Sequence, residues 1–193
     1  WYDNTAGNGS TWTRRVISTA ADGAFSVHAA DVDGDGDGDA LSASSNDDEI
    51  NWYENTTGGG TAWALHTIAA TADSARSVFA ADLDSDGDTD ALSASSNDDE
   101  VAWYENTAGN GSAWVTHTIS TLADAGRSVH AADVDGDGDL DVLSASANDD
   151  KIAWYRNDLL TVPALGEWGA GLLAALLIGV GGRRIRARRG PAS

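Results

Sequence analysis

Five aspartates at alternate positions around one glycine recur three times in this chain, as Asp-x-Asp-x-Asp-Gly-Asp-x-Asp. The copies are Asp31–Asp39, Asp82–Asp90 and Asp133–Asp141, each 51 residues after the last. Carboxylates at positions 1, 3 and 5 can converge from one side, and glycine at position 6 permits the sharp turn a side chain resists. The carbonyl at position 7 then faces inward and the aspartate at position 9 closes the ring. Such a loop supplies only hard oxygen donors, the set that suits Ca²⁺. The candidate ligands are Asp31, Asp33, Asp35, Asp37 and Asp39, then Asp82, Asp84, Asp86, Asp88 and Asp90, then Asp133, Asp135, Asp137, Asp139 and Asp141. About three ions are expected. A helix–loop–helix calcium site would need Glu at position 12, where Ser42, Ser93 and Ser144 stand.

The flanks of each loop read as strands, so the loop is a β-hairpin connection. Within one repeat four strands are expected: Ser77–Ala81, Ala91–Ser95, Glu100–Glu105 and Trp114–Ile119. The turns between them are the cation loop, Asn97-Asp98-Asp99 and the Gly-rich stretch Asn106–Ser112, all of hairpin composition. In the third strand Val101 and Trp103 alternate with Ala102 and Tyr104, giving one bulky face and one mixed face. Seven of the eight tryptophans keep the period, Trp1, Trp52, Trp103 and Trp154 in one series and Trp12, Trp63 and Trp114 in another. They are expected to lie buried between stacked sheets. The fold class is therefore all-β, and a period near 50 with four antiparallel strands favours propeller blades over solenoid coils. Three units are fewer than a closed propeller uses. The chain has no methionine and begins at a lattice tryptophan, so it reads as the C-terminal part of a longer product.

On these motifs the chain resembles the FG-GAP/VCBS repeat proteins, whose blades are similar to those of the integrin α-subunit β-propeller. The resemblance covers residues 1–157 and is most specific at Ser26–Ser44, Ser77–Ser95 and Ser128–Ser146. It implies that the aspartate loop joins the first two strands of a blade and holds Ca²⁺. Phe-Gly is reduced to Phe25-Ser26, and Gly-Ala-Pro is replaced by Ser-Ala-Ser, which places the chain in a looser bacterial branch.

Composition narrows the function classes. The formal charge is −20, and 30 of the 31 acidic groups precede Glu167. Such a surface repels nucleic acid. Cysteine is absent, which excludes thiolate chemistry and disulfides. The histidines sit on the lattice, His28 and His130 with Phe79 between, and His66 and His117 with Arg15 before, which suits structural roles rather than catalysis. Asn46-Asp47-Asp48, Asn97-Asp98-Asp99 and Asn148-Asp149-Asp150 read as turns before they read as further cation sites. Asn8, Asn55 and Asn110 head glycosylation-type triplets, which turn chemistry explains more simply.

After a short linker at 158–161 the character changes. Residues 162–193 carry Val162-Pro163-Ala164-Leu165-Gly166-Glu167-Trp168-Gly169, an apolar stretch, and arginines at 183, 184, 186, 188 and 189. A helix over 168–182 would measure ~22 Å, short against a hydrocarbon core of ~30 Å. Trp at one boundary and arginines at the other still orient it as a transmembrane anchor with a cytoplasmic C-terminus. The order of motif, apolar helix and basic tail (183–189) resembles Ile-Pro-Thr-Leu-type sorting signals of Gram-negative bacteria. Pro163, Leu165, Glu167, Trp168 and Gly169 match, while Val162 and Ala164 depart. That resemblance implies an exosortase-type protease as partner and a cell-surface or secreted destination. The expected function is a non-catalytic, calcium-binding surface propeller recognising a protein or glycan. The alternative is an accessory propeller of a secreted enzyme whose catalytic module lies upstream.

Overall fold

The computed structural model describes residues 1–158, and every regular element among them is a strand. The strands are β1 (Tyr2–Asp3), β2 (Thr13–Arg14), β3 (Ala24–Ala30), β4 (Asp39–Ser44), β5 (Glu49–Glu54), β6 (Ala64–Ala69), β7 (Ala75–Ala81), β8 (Asp90–Ser95), β9 (Val101–Glu105), β10 (Val115–Ser120), β11 (Gly126–Ala132), β12 (Asp141–Ser146) and β13 (Lys151–Tyr155). Within a residue or two, β7 to β10 are the four strands expected for the middle repeat. The anchor helix over 168–182 and the rest of the sorting segment 162–193 lie outside the described residues, as does all of the linker except Asp158.

The strands form four antiparallel sheets. Two are four-stranded meanders, β3-β4-β5-β6 and β7-β8-β9-β10. The third is β11-β12-β13, and the fourth is the pair β1-β2. The lattice thus runs out of phase with three whole units: β1 and β2 correspond to the last two strands of a repeat, and β11 to β13 to the first three. The registers repeat faithfully, with Leu41 opposite Trp52, Leu92 opposite Trp103 and Leu143 opposite Trp154. Each first strand carries a bulge at the same place, between Ala24 and Ser26, Ala75 and Ser77, and Gly126 and Ser128. The skipped residues are Phe25, Arg76 and Arg127, and the Arg76 guanidinium lies 4.2 Å from the centre of the Phe25 ring. Tight turns follow from Asp48, Asp99 and Asp150, all at positive φ, a conformation Asp tolerates better than most residues.

Burial is organised between sheets. Leu41, Ala43, Ile50 and Trp52 on the bulky face of one sheet meet Val78, Ala80, Ala91, Ala102 and Tyr104 on the mixed face of the next. One repeat later, Leu92, Ala94 and Val101 meet Val129, Ala131 and Val142. Alternation along a strand therefore feeds two different apolar layers. The mixed faces carry paired hydroxyls: Ser93 and Tyr104 share a hydrogen bond of 3.0 Å, with the same pairing at Ser42–Tyr53 and Ser144–Tyr155. Burial pushes the Tyr104 hydroxyl up to about 12.

The expectation that all lattice tryptophans are buried needs correction. Trp52 is 2 % exposed, but Trp1, Trp12 and Trp154 are 43 %, 56 % and 48 % exposed. Trp52 takes cover from the following repeat: its ring lies on Gly111, where a Cβ would collide with it.

The sheets are also stitched by polar contacts. Val78 N–H donates to Ser26 Oγ at 3.3 Å, and Val129 N–H donates to Ser77 Oγ at 3.1 Å. These serines cap backbone donors on the edge of the next sheet's first strand, where no ladder partner exists.

Candidate metal centres

The three aspartate loops connect β3 to β4, β7 to β8 and β11 to β12, each a hairpin between the first two strands of its sheet. Within each loop the backbone wraps around its own carboxylates. Asp31 accepts from Gly34 N–H at 2.9 Å and Gly36 N–H at 2.9 Å, and Asp133 accepts from Gly136 at 2.7 Å and Gly138 at 3.2 Å. Asp33, Asp84 and Asp135 each accept at 3.2 Å from the N–H two residues on. The position-9 aspartates anchor the closing strand: Asp90 accepts from Leu83 N–H at 3.0 Å and Asn106 N–H at 2.9 Å. Asp39 and Asp141 repeat this with Val32 and Asn55, and with Val134 and Asn157.

Carboxylate oxygens converge in each loop, but from three positions rather than from all those the spacing offered. One oxygen from each of Asp31, Asp33 and Asp39 lies within 4.8 Å of the other two, as do those of Asp82, Asp84 and Asp86, and of Asp133, Asp135 and Asp141. Oxygens on a calcium shell of ~2.4 Å radius lie at most ~4.8 Å apart, so the clusters have the right span. Asp35, Asp90 and Asp137 fall outside these triplets. The position-7 side chains do something else: the Asp37 carboxylate lies against Gly58 and the Asp88 carboxylate against Gly109. Their carboxylates are thus turned away from the triplets.

The second loop differs at position 4. Its position 4 is Ser85, held at φ 64°, where the other loops have Gly34 and Gly136. Asp82 Oδ1 is buried and has no hydrogen-bond partner. A buried, unpaired carboxylate oxygen among other carboxylates is costly unless a cation meets it. Charge crowding shows in protonation as well. Burial, and then neighbouring carboxylates including Glu54 and Glu105, raise Asp33 and Asp84 above the usual range. Burial pushes Asp90 up to about 6. In the third loop the Asn157 N–H, assisted by Arg156 among others, holds Asp141 low.

Several residues that the motifs did not single out prove central. Asn106, fully buried, donates from Nδ2 to Val32 O at 3.0 Å and to Thr89 O at 3.2 Å, and its Oδ1 accepts from Gly111 N–H at 3.0 Å. Asn157 makes the same reach to Leu83 O at 2.9 Å. One side chain thereby ties its own cation loop to that of the preceding repeat. Recurrence on the lattice, at Asn4, Asn55, Asn106 and Asn157, was the available signal. It also disposes of Asn55 as a glycan acceptor, since that side chain is buried and Oδ1 accepts from Gly60 N–H at 2.9 Å.

The histidines are structural partners. His66 stacks on Trp52 at 4.4 Å and pairs with Glu54 at 2.9 Å, while His117 stacks on Trp103 at 4.4 Å and pairs with Glu105 at 2.8 Å. His28, Phe79 and His130 form a column of rings across three sheets. The Asn-Asp-Asp turns spend their oxygens on the chain: Asp99 Oδ1 accepts from Ala125 N–H at 2.9 Å, and Asp98 Oδ2 from Asp73 N–H at 3.2 Å.

Comparison with known proteins agrees with this geometry. The family model of the FG-GAP-like repeat matches residues 33–93 and 82–144, each match beginning within one aspartate loop and running through the next. No curated protein matches the chain. With more than half of its length covered by two overlapping matches, the chain belongs to the FG-GAP-like repeat family.

Proposed function

We propose that the repeats are blades of a calcium-stabilised, non-catalytic β-propeller that acts outside the cytoplasmic membrane and recognises a protein or glycan ligand. The observation that carries the calcium reading is the set of three oxygen-only clusters of the right span, one holding the buried, unpaired Asp82 Oδ1. Asp31, Asp33 and Asp39 in the first loop, Asp82, Asp84 and Asp86 in the second and Asp133, Asp135 and Asp141 in the third would hold the ions, and a bound ion would screen the mutual repulsion of the loop carboxylates. The sheet-to-sheet layering, bulky face on mixed face, supports successive blades around an axis. The surface destination rests on the tail, where the motif at 162–169, the apolar stretch over 168–182 and the arginines together support processing by an exosortase-type protease.

Extracellular calcium modules bind at ~10⁻⁴–10⁻³ M, so millimolar calcium contributes about 0.4–1.4 kcal/mol per loop. The test is calorimetric titration with calcium together with thermal unfolding, with and without chelator. A rise of several degrees in Tm with calcium is expected, and Asp82→Ala should delete one site. An unchanged Tm with no heat of binding overturns the calcium reading.

A further inference from the structure

The residue just before the lattice asparagine, at or directly after the end of the third strand, lies beside the cation loop in all three repeats, because that asparagine donates its backbone N–H to the position-9 aspartate. In the first two repeats that residue is Glu54 or Glu105, whose carboxylate pairs with the histidine of the fourth strand. In the third it is Arg156, and the charge is reversed. Its Nε lies 2.8 Å from Asp135 Oδ2 and one terminal nitrogen lies 3.1 Å from Asp137 Oδ2. Asp135 is also a member of the converging triplet Asp133, Asp135, Asp141. The guanidinium is a permanent cation with a planar fork that suits carboxylates.

We propose that Arg156 is a resident counter-cation of the third loop, which makes that loop a weaker divalent-cation site than the other two, so that calcium fills the chain in two stages. This rests on the calcium reading above. Three features separate the third loop from its neighbours. A positive charge stands where the other loops have a negative one. Two of its five carboxylates already have an ionic partner. A divalent ion reaching Asp135 must share it with, or take it from, the guanidinium. The first and second loops carry the opposite bias, since Glu54 and Glu105 add negative charge beside Asp33 and Asp84. Ion pairs at this degree of exposure are individually modest. Two of them, plus the reversed charge, correspond to about a tenfold difference in Kd.

The intact 193-residue chain, labelled with ¹⁵N, would be titrated with calcium chloride while the amides of Gly36, Gly87 and Gly138 are followed by NMR, one reporter per loop. The expected midpoints for Gly36 and Gly87 lie about tenfold below that for Gly138, and the gap narrows as ionic strength rises. Arg156→Glu should bring the Gly138 midpoint to within about twofold of the others. The reciprocal change, Glu105→Arg, should raise the Gly87 midpoint about tenfold and leave Gly36 in place. Coincident midpoints in the unaltered chain, with neither substitution moving its reporter, overturn this proposal and leave the calcium reading intact. No calcium-dependent shift at any of the three glycines overturns both.

Discussion

Replacing Asn106 by alanine removes three hydrogen bonds from a site sealed from water. Its Nδ2 loses Val32 O and Thr89 O, and Gly111 N–H loses Oδ1. Each bond contributes about 1 kcal/mol net, and the buried partners left behind, Val32 O and Gly111 N–H, cost more than that figure. The expected loss is about 3–5 kcal/mol, a large share of the ~5–15 kcal/mol available to a typical domain. At ~2–4 °C per kcal/mol for a chain of this size, the Tm should fall by roughly 10 °C. Asn55→Ala supplies the internal control, because that Nδ2 has Gly38 O at 3.4 Å without the reach to a preceding loop that Asn106 makes. Its loss should be about 1–2 kcal/mol. Asn106→Asp is a sharper probe: it keeps an acceptor for Gly111 but sets a carboxylate against two carbonyls, so it should be at least as damaging as alanine at pH 7 and recover partly in acid. The assay is urea unfolding of the full chain in saturating calcium, followed by tryptophan fluorescence. Equal losses for Asn55→Ala and Asn106→Ala, or a loss below about 1 kcal/mol at Asn106, would refute the view that this side chain ties adjacent repeats together.

Gly111→Ala should cost about 2–4 kcal/mol, since φ is 68° and the new Cβ would strike the buried Trp52 ring, whereas Gly36→Ala, at φ 92° with open space around it, should cost about 1 kcal/mol. Urea midpoints compare the two. Ser77→Ala strips the buried Val129 N–H of its acceptor and should cost about 1–2 kcal/mol, more than Ser26→Ala, where the serine itself is only half-buried, by the same measurement. Asp90, with its pKa raised to about 6, gives a pH signature in calcium-free protein. Between about pH 4 and pH 6 the native form keeps a proton that the unfolded form has released, so this group's contribution to stability falls as pH rises through that window. Unfolding midpoints at pH 4.5 and 7 should therefore show a component of that sign which Asp90→Asn abolishes.

The repeat, the strands and the carboxylate loops could be read from the chain because they are local. A strand's alternation and a nine-residue loop are determined by neighbours one to eight positions away. The 51-residue spacing adds only that the same local solution recurs. Even the hairpin role of the loops and the structural role of His66 and His117 followed from lattice position. What the pattern could not rank was members of one lattice position against each other. Ile50 and Ile152 occupy equivalent places in their strands, yet one is fully buried and the other is 86 % exposed. The difference lies in the next sheet, whose mixed face covers Ile50, while among the described residues no sheet follows the strand that carries Ile152. The same holds for polar atoms. Asn106 reaches a carbonyl 74 residues away, Ser77 caps an amide 52 residues away, and Asp37 and Asp88 turn their carboxylates onto glycines of another turn. Composition at each site permits these contacts without requiring them. Hydrogen bonds and apolar layers between repeats depend on how one sheet is set against the next, and only the packed tertiary structure decides that.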